Sequence, residues 1–224
     1  MTAILVVLTI LIAVAVDGIL MAVRQHRSPA RAGVVPEAML EPRPPQGIFL
    51  DSAHAWLRIT TDGTLRIGVD DFLTEALGEV EKVEVPARGT QVKRGDPLLK
   101  LTVHGRKIIV PSPAAGEVVS VNTAAVAEPW SVTRDPYGVG WMVGLWTRDH
   151  HEAIRPLRIG SAAGAYLRQE MQHLADFLTG CHAPATAPVL ADGGLPGRGA
   201  VGTLDADHFS AFQNEFISTN QKES

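Results

Sequence analysis

Between Gly47 and Trp146 the sequence is a succession of short β-type runs separated by turn signals. Runs such as WLRIT, TLRIGV, PLLKLTV and KIIVPS either alternate apolar with polar residues or are rich in β-branched residues. The pairs Asp62-Gly63, Arg88-Gly89 and His104-Gly105 interrupt them, and glycine adopts positive φ at little cost. This spacing predicts a small antiparallel domain in which two half-buried sheets pack together.

Two helical patterns accompany the β runs. The stretch DDFLTEAL, from Asp70 to Leu77, has acidic residues at its start and Gly78 as a stop signal. From Ser161 to Leu178, large apolar residues recur at three- and four-residue spacing. We therefore predict a short helix inside the β region and a longer amphipathic helix that packs against it.

The N-terminal stretch from Ala3 to Val23 is apolar except at Thr9, Asp17 and Gly18. About 20 apolar residues are enough to cross a bilayer, so this stretch is a predicted transmembrane helix. A cleaved signal peptide would have basic residues before its apolar core, whereas here they follow it, between Arg24 and Arg31. Basic residues next to a membrane helix favour the cytoplasmic side. We expect a single-pass inner-membrane protein whose C-terminal domain is cytoplasmic.

Asp17 is unusual in such a helix, because a carboxylate near mid-bilayer costs about 2.5–3.5 kcal/mol. It either reaches the interface or becomes protonated, or it hydrogen-bonds a helix of another subunit. Gly18 and Ala22 form a small-residue pair, four positions apart, that permits close helix approach. These three residues are candidate partner contacts.

Composition divides the chain into five parts. Residues 1–27 are the predicted transmembrane anchor, and residues 28–46 form a proline-rich tether. Residues 47–179 are the β domain with its C-terminal helix. Residues 180–202, rich in Gly, Pro and Ala, are a predicted flexible linker, and residues 203–224 are an amphipathic helix and tail.

The predicted C-terminal helix carries its largest apolar residues on or near one side. Thr203 is its predicted N-cap. Phe209, Phe212 and Phe216 are candidate contacts, and the sequence leaves open whether they pack on this domain or on a partner.

Several functions are disfavoured by composition and motif. The net charge is −4 and no long basic run occurs, so nucleic acid is not an expected partner. No nucleophile elbow, phosphate loop or dinucleotide fingerprint is present, so neither an enzyme nor a small-molecule substrate is indicated. His150-His151-Glu152 is interpreted as a solvated turn rather than a metal site. Cys181-His182 is interpreted as an inert pair rather than a reactive thiol or metal ligand.

Four stretches resemble the H protein of the glycine cleavage system: HAWLRITTDGTLRIGVDDF, EALGEVEKVEVPARGTQVKRGDPL, PSPAAGEVVSVN and RDPYGVGWMVGL. They cover about His54 to Leu145. The resemblance implies a lipoyl-domain-like barrel-sandwich hybrid. The predicted fold class is therefore mainly β, with flanking helices and an N-terminal transmembrane helix. Trp56, Tyr137 and Trp141 are expected in the core or at its rim.

In this family a lysine at a hairpin tip carries a lipoyl group, in a pattern resembling E-S-V-K-A followed by S-P-x-x-G. The resemblance places Gly105 at the lysine position, ten residues after Gly95 and eleven before Gly116. The positions before it hold Thr102, Val103 and His104 instead of the family's glutamate, serine and valine. We expect no cofactor here.

A protein without that lysine loses the carrier chemistry but keeps a shape that partners recognise. The sequence therefore predicts a non-catalytic accessory or scaffolding subunit that binds other subunits of a larger membrane complex. A redox or energy-transducing complex is the suggested assembly. The alternative is a lipoyl carrier in glycine cleavage or a related pathway, using Lys107 or Lys100. A sensor or ligand-binding module is a third reading, although no polar cluster supports it.

Overall fold

The structure is a computed structural model that describes residues 44–181 and 197–218. The predicted membrane anchor and nearly all of the tether lie outside these residues, so both remain predictions. Within the described ranges, none of the helices combines the length and apolar character needed to cross a bilayer.

The described residues form a mainly β domain with ten strands in two antiparallel sheets. The strands are β1 (Phe49–Leu50), β2 (Ala55–Ile59), β3 (Leu65–Val69), β4 (Lys82–Glu84), β5 (Gln91–Val92), β6 (Pro97–Val103), β7 (Arg106–Pro111), β8 (Gly116–Val121), β9 (Val143–Trp146) and β10 (Arg158–Ile159). The larger sheet has the order β10-β1-β2-β3-β9-β8-β5, and the smaller has the order β4-β6-β7. The predicted mainly β architecture is confirmed.

Alternation along the strands sorts side chains between the core and the outer face. On β2 and β3, Leu57, Leu65 and Ile67 are fully buried. Arg58 and Arg66 point to the other side, where they pair in register across the two strands. Burial of this apolar set is the main source of the domain's stability.

Six α-helices, five of them short, and two further turns of helix are present in the described ranges. They are α1 (Asp71–Leu77), α2 (Thr123–Ala127), α3 (Trp130–Arg134), α4 (His150–Ile154), α5 (Ser161–Gly180), a 3₁₀ turn (Val201–Thr203), α6 (Ala206–Phe212) and a π-helical turn (Gln213–Ile217). The predicted helices at α1 and α5 are confirmed. The carboxylate of Asp70 accepts the N–H of Leu73 and so begins α1. Helices α2, α3 and α4 were not predicted.

Residues 197–217, here called the C-terminal segment, differ from the sequence-based expectation. The predicted flexible linker included Ala200 and Val201, but both are buried in the core. Thr203 is not the N-cap of the last helix. That position belongs to Asp205, whose side chain accepts the N–H of His208.

The three phenylalanines of the C-terminal segment are core residues. Phe209, Phe212 and Phe216 are 5%, 0% and 1% exposed. The prediction that they contact a partner is therefore corrected, because their rings are already covered by the chain's own domain. The packing question that the sequence left open is answered in favour of this domain.

Candidate functional site

The hairpin formed by β6 and β7 ends in a two-residue turn, at the position where the family resemblance places the lipoyl-lysine. Val103 pairs with Arg106, and His104 and Gly105 form the turn between them. Both turn residues have positive φ, 49° and 71°, which matches the type I′ turns favoured in tight hairpins. The apex therefore presents an imidazole and a hydrogen atom. Neither offers an amine to which a lipoyl group can be attached, so the apex does not fit that cofactor.

The two nearby lysines lie on the strands rather than at the apex. Lys107 is two positions beyond the turn, and its Nζ lies 3.4 Å from Oε2 of Glu84. Lys100 pairs in register with Glu84 across β6 and β4. Both lysines thus lie on the strands that flank the turn.

Arg106, immediately after the turn, attaches the hairpin to the C-terminal segment. Its guanidinium donates to the carbonyl oxygens of Gly202 at 2.5 Å and Leu204 at 2.6 Å, and to that of Asp205 at 3.0 Å. The same group lies over the ring of Phe209, 4.2 Å from its centroid. One guanidinium group therefore binds three backbone carbonyls of the segment.

Close backbone approach and aromatic packing complete this attachment. A Cβ at Gly202 would lie 2.8 Å from the His104 ring, so the glycine lets the segment approach the apex closely. Further along, Phe212 stacks on Phe216 with ring centroids 4.9 Å apart, and Phe216 stacks on Phe72 of α1. The C-terminal segment thus covers one side of the hairpin and joins it to α1.

A buried charged group, the side chain of His54, connects α1 and α5. His54 is fully buried, and its Nδ1 lies 2.8 Å from Oδ2 of Asp70. Its Nε2 lies 3.6 Å from Oε2 of Glu170 on α5, an ion-pair distance that is too long for a hydrogen bond. Burial alone would lower the pKa of His54, but the charges of Asp70 and Glu170 raise it to about 9. The imidazolium form therefore links sheet, α1 and α5.

An open groove of about 770 Å³ lies beside the apex, between α1 and α3. Trp130, 49% exposed, and Arg134 form part of its wall. Arg198 pairs with Glu75 across it at 3.7 Å. The groove thus mixes both signs of charge and does not favour one class of small ligand.

The remaining predicted candidates fall into two groups. Asp17, Gly18 and Ala22 lie outside the described residues, as does His182. His150 and His151 begin α4 instead of forming a turn, and the ring of His150 is hydrogen-bonded to the carbonyl of Gly63 at 2.7 Å. Among the described residues, no three His, Cys, Asp or Glu side chains are grouped so that they could hold a metal ion.

The β domain matches a known protein family. The family model "Glycine cleavage H-protein" matches residues 49–170, more than half of the chain. The chain belongs to this family. A probable glycine cleavage system H protein of Thermococcus kodakarensis is 31% identical over 123 residues, covering 55% of this chain and 91% of the relative. A glycine cleavage system H protein of Coxiella burnetii is 33% identical over 108 residues, covering 48% of this chain and 83% of the relative.

A solved structure agrees with the fold. The crystal structure of a glycine cleavage system H protein from Mycobacterium marinum matches with a TM-score of 0.50 and 30% identity. The match covers 57% of this chain and 98% of that chain. The H-protein-like, lipoyl-domain-like fold is thereby supported. The C-terminal segment lies beyond residue 170, where the family match ends.

Sequence reasoning missed Arg106 and His54 as organising residues. Arg106 was passed over because its partners are backbone carbonyls about 100 positions away, which leave no trace in local sequence. His54 lies between Ala53 and Ala55 at the start of β2, and nothing local marks it as charged. Its positive φ of 62° is visible only in the structure.

Proposed function

We propose that this protein is a membrane-anchored H-protein homologue that carries no lipoyl group and acts as an accessory or scaffolding subunit of a larger membrane complex. The observation that carries the proposal is the apex of the β6–β7 hairpin, where His104 and Gly105 provide no amine. Without an attached arm, a carrier cannot accept or deliver a chemical group. The shape of the domain remains available for recognition by partners.

Two further features support a structural role. The C-terminal segment holds one side of the hairpin through Arg106, so the hairpin is braced rather than freely presented. The apolar N-terminal stretch from Ala3 to Val23 is the reason to place the protein at a membrane. A redox or energy-transducing complex remains our suggestion for the assembly, and it rests on the sequence alone.

The second candidate function is a lipoyl carrier, which the names of the related H proteins favour. Lys107 would be the attachment site, because its side chain is 59% exposed and lies two residues after the turn. Lys100, three positions before the end of β6, is the other candidate.

Intact mass spectrometry of the chain from its native membranes separates these functions. We expect an unmodified mass, with a lipoylated H protein measured alongside as a positive control. A lipoyl adduct would overturn the proposal, and its loss in Lys107→Arg but not Lys100→Arg would locate it.

The scaffolding part of the proposal has its own test. After extraction in mild detergent, we expect the chain to migrate with other membrane subunits on a native gel. Recovery of the wild-type chain as a lone monomer, under conditions that preserve other membrane complexes, would refute it.

A further inference from the structure

The outer face of the larger sheet carries two arginines that lie directly opposite each other. Arg58 on β2 and Arg66 on β3 pair in register, which brings their Cβ atoms to about 4.5–5.5 Å. None of the ion pairs formed by the described residues includes either arginine. Like charges at directly opposed positions destabilise a sheet. The fold alone therefore gives no reason to place both here.

Each guanidinium is positioned by a tryptophan. The Arg58 group lies 5.8 Å from the Trp56 ring centroid, and the Arg66 group lies 4.8 Å from that of Trp141. Trp56 is itself fixed, since it is buried and its indole N–H donates to the carbonyl of Pro136 at 3.0 Å. Stacking on an aromatic face leaves the N–H edge of a guanidinium free to donate. Both guanidinium groups are therefore held in position and still have N–H donors that can bind a partner.

The surface next to the arginines includes an exposed tryptophan. Arg66 pairs in register with Gly144 on β9, where the side chains of Ser120 and Thr64 fill the space that a larger residue would occupy. Trp146, two residues further along the same strand and on the same face, is 48% exposed. The nearby carboxylate of Glu117 already accepts a hydrogen bond from the Gln91 side chain at 2.8 Å. Exposed tryptophan and arginine are the residue types most enriched in interface hot spots.

We propose that this surface, the Arg58/Arg66 face, docks a carboxylate-bearing segment of a partner subunit. The inference rests on the proposed function for the existence of that partner. Charge complementarity selects the occupant, because paired guanidinium forks bind carboxylates in bidentate fashion. An anionic membrane surface fits less well, since lipid recognition generally uses clusters of about four to eight basic residues. The face offers two.

Charge reversal in the full-length chain tests the face. We expect Arg58→Glu/Arg66→Glu to reduce the amount of chain in the native complex at least tenfold, without lowering its melting temperature. The matched control is Arg88→Glu, an exposed arginine in the turn before β5, which should assemble like wild type. Normal assembly of the double variant would overturn the docking face while leaving the proposed function intact. If the wild-type chain itself is monomeric, that result refutes the proposed function, whatever the double variant does.

A chemical probe identifies what touches the face. Arg58→Lys/Arg66→Lys keeps the charge and adds amines that a zero-length carbodiimide couples to a contacting carboxylate. In native membranes we expect a cross-link from position 58 or 66 to another polypeptide, absent from wild type and from Arg88→Lys. Coupling to phosphatidylserine instead, or only to this chain's own carboxylates, would overturn the proposal.

Discussion

The buried charge on His54 makes a quantitative prediction about how stability depends on pH. Its pKa is raised from 6.5 to about 9 in the folded state, against the effect of burial, by Asp70 and Glu170. The folded protein therefore binds this proton more tightly than the unfolded chain does. The stabilisation is fully present below pH 6.5 and is lost as the pH rises through about 9.

The magnitude follows from the two pKa values. One pKa unit is worth about 1.4 kcal/mol, so the charged His54 contributes about 3 kcal/mol to the free energy of unfolding. That is a large share of the 5–15 kcal/mol, roughly, that stabilises a typical domain. The rings of Phe72 and Tyr166 also stack on the His54 ring, with centroids 4.2 Å and 5.6 Å away.

The test compares wild type with His54→Asn by urea unfolding of the full-length chain in detergent, followed by tryptophan fluorescence. Asparagine tolerates the positive φ of 62° and does not titrate. We expect the stability gap between the two proteins to shrink by about 3 kcal/mol between pH 6 and pH 9.5. The exposed His151 supplies the matched control, His151→Asn, which should follow wild type at every pH. A gap that stays constant across this range would refute a buried imidazolium.

Three further substitutions test the attachment of the C-terminal segment and the turn. Phe212→Ala should lower the unfolding free energy by about 3–5 kcal/mol, measured by urea unfolding, because the ring is fully buried. Arg106→Lys should cost about 1–2 kcal/mol and speed amide hydrogen exchange in the C-terminal segment, since an ammonium cannot span three carbonyls; unchanged exchange would contradict this role. Gly105→Ala should lower the melting temperature by an amount equivalent to about 1 kcal/mol, because its φ is 71°.

Local sequence predicted those parts of the fold that depend on local chemistry. Glycine marked the hairpin turn at Gly105 and the end of α1 at Gly78, and both places require positive φ. Contacts between distant segments were not predictable in this way. Residues 197–202 belong to the predicted linker, yet Val201 is fully buried because tertiary packing overrides a weak local preference.

The C-terminal segment also constrains how the protein is made. Phe216 packs in the core against Phe72 of α1, although it lies more than 130 positions later in the chain. Loop closure over so long a separation is entropically costly and slows folding. During synthesis, the part of α1 that Phe216 covers therefore stays exposed until Phe216 has left the ribosome.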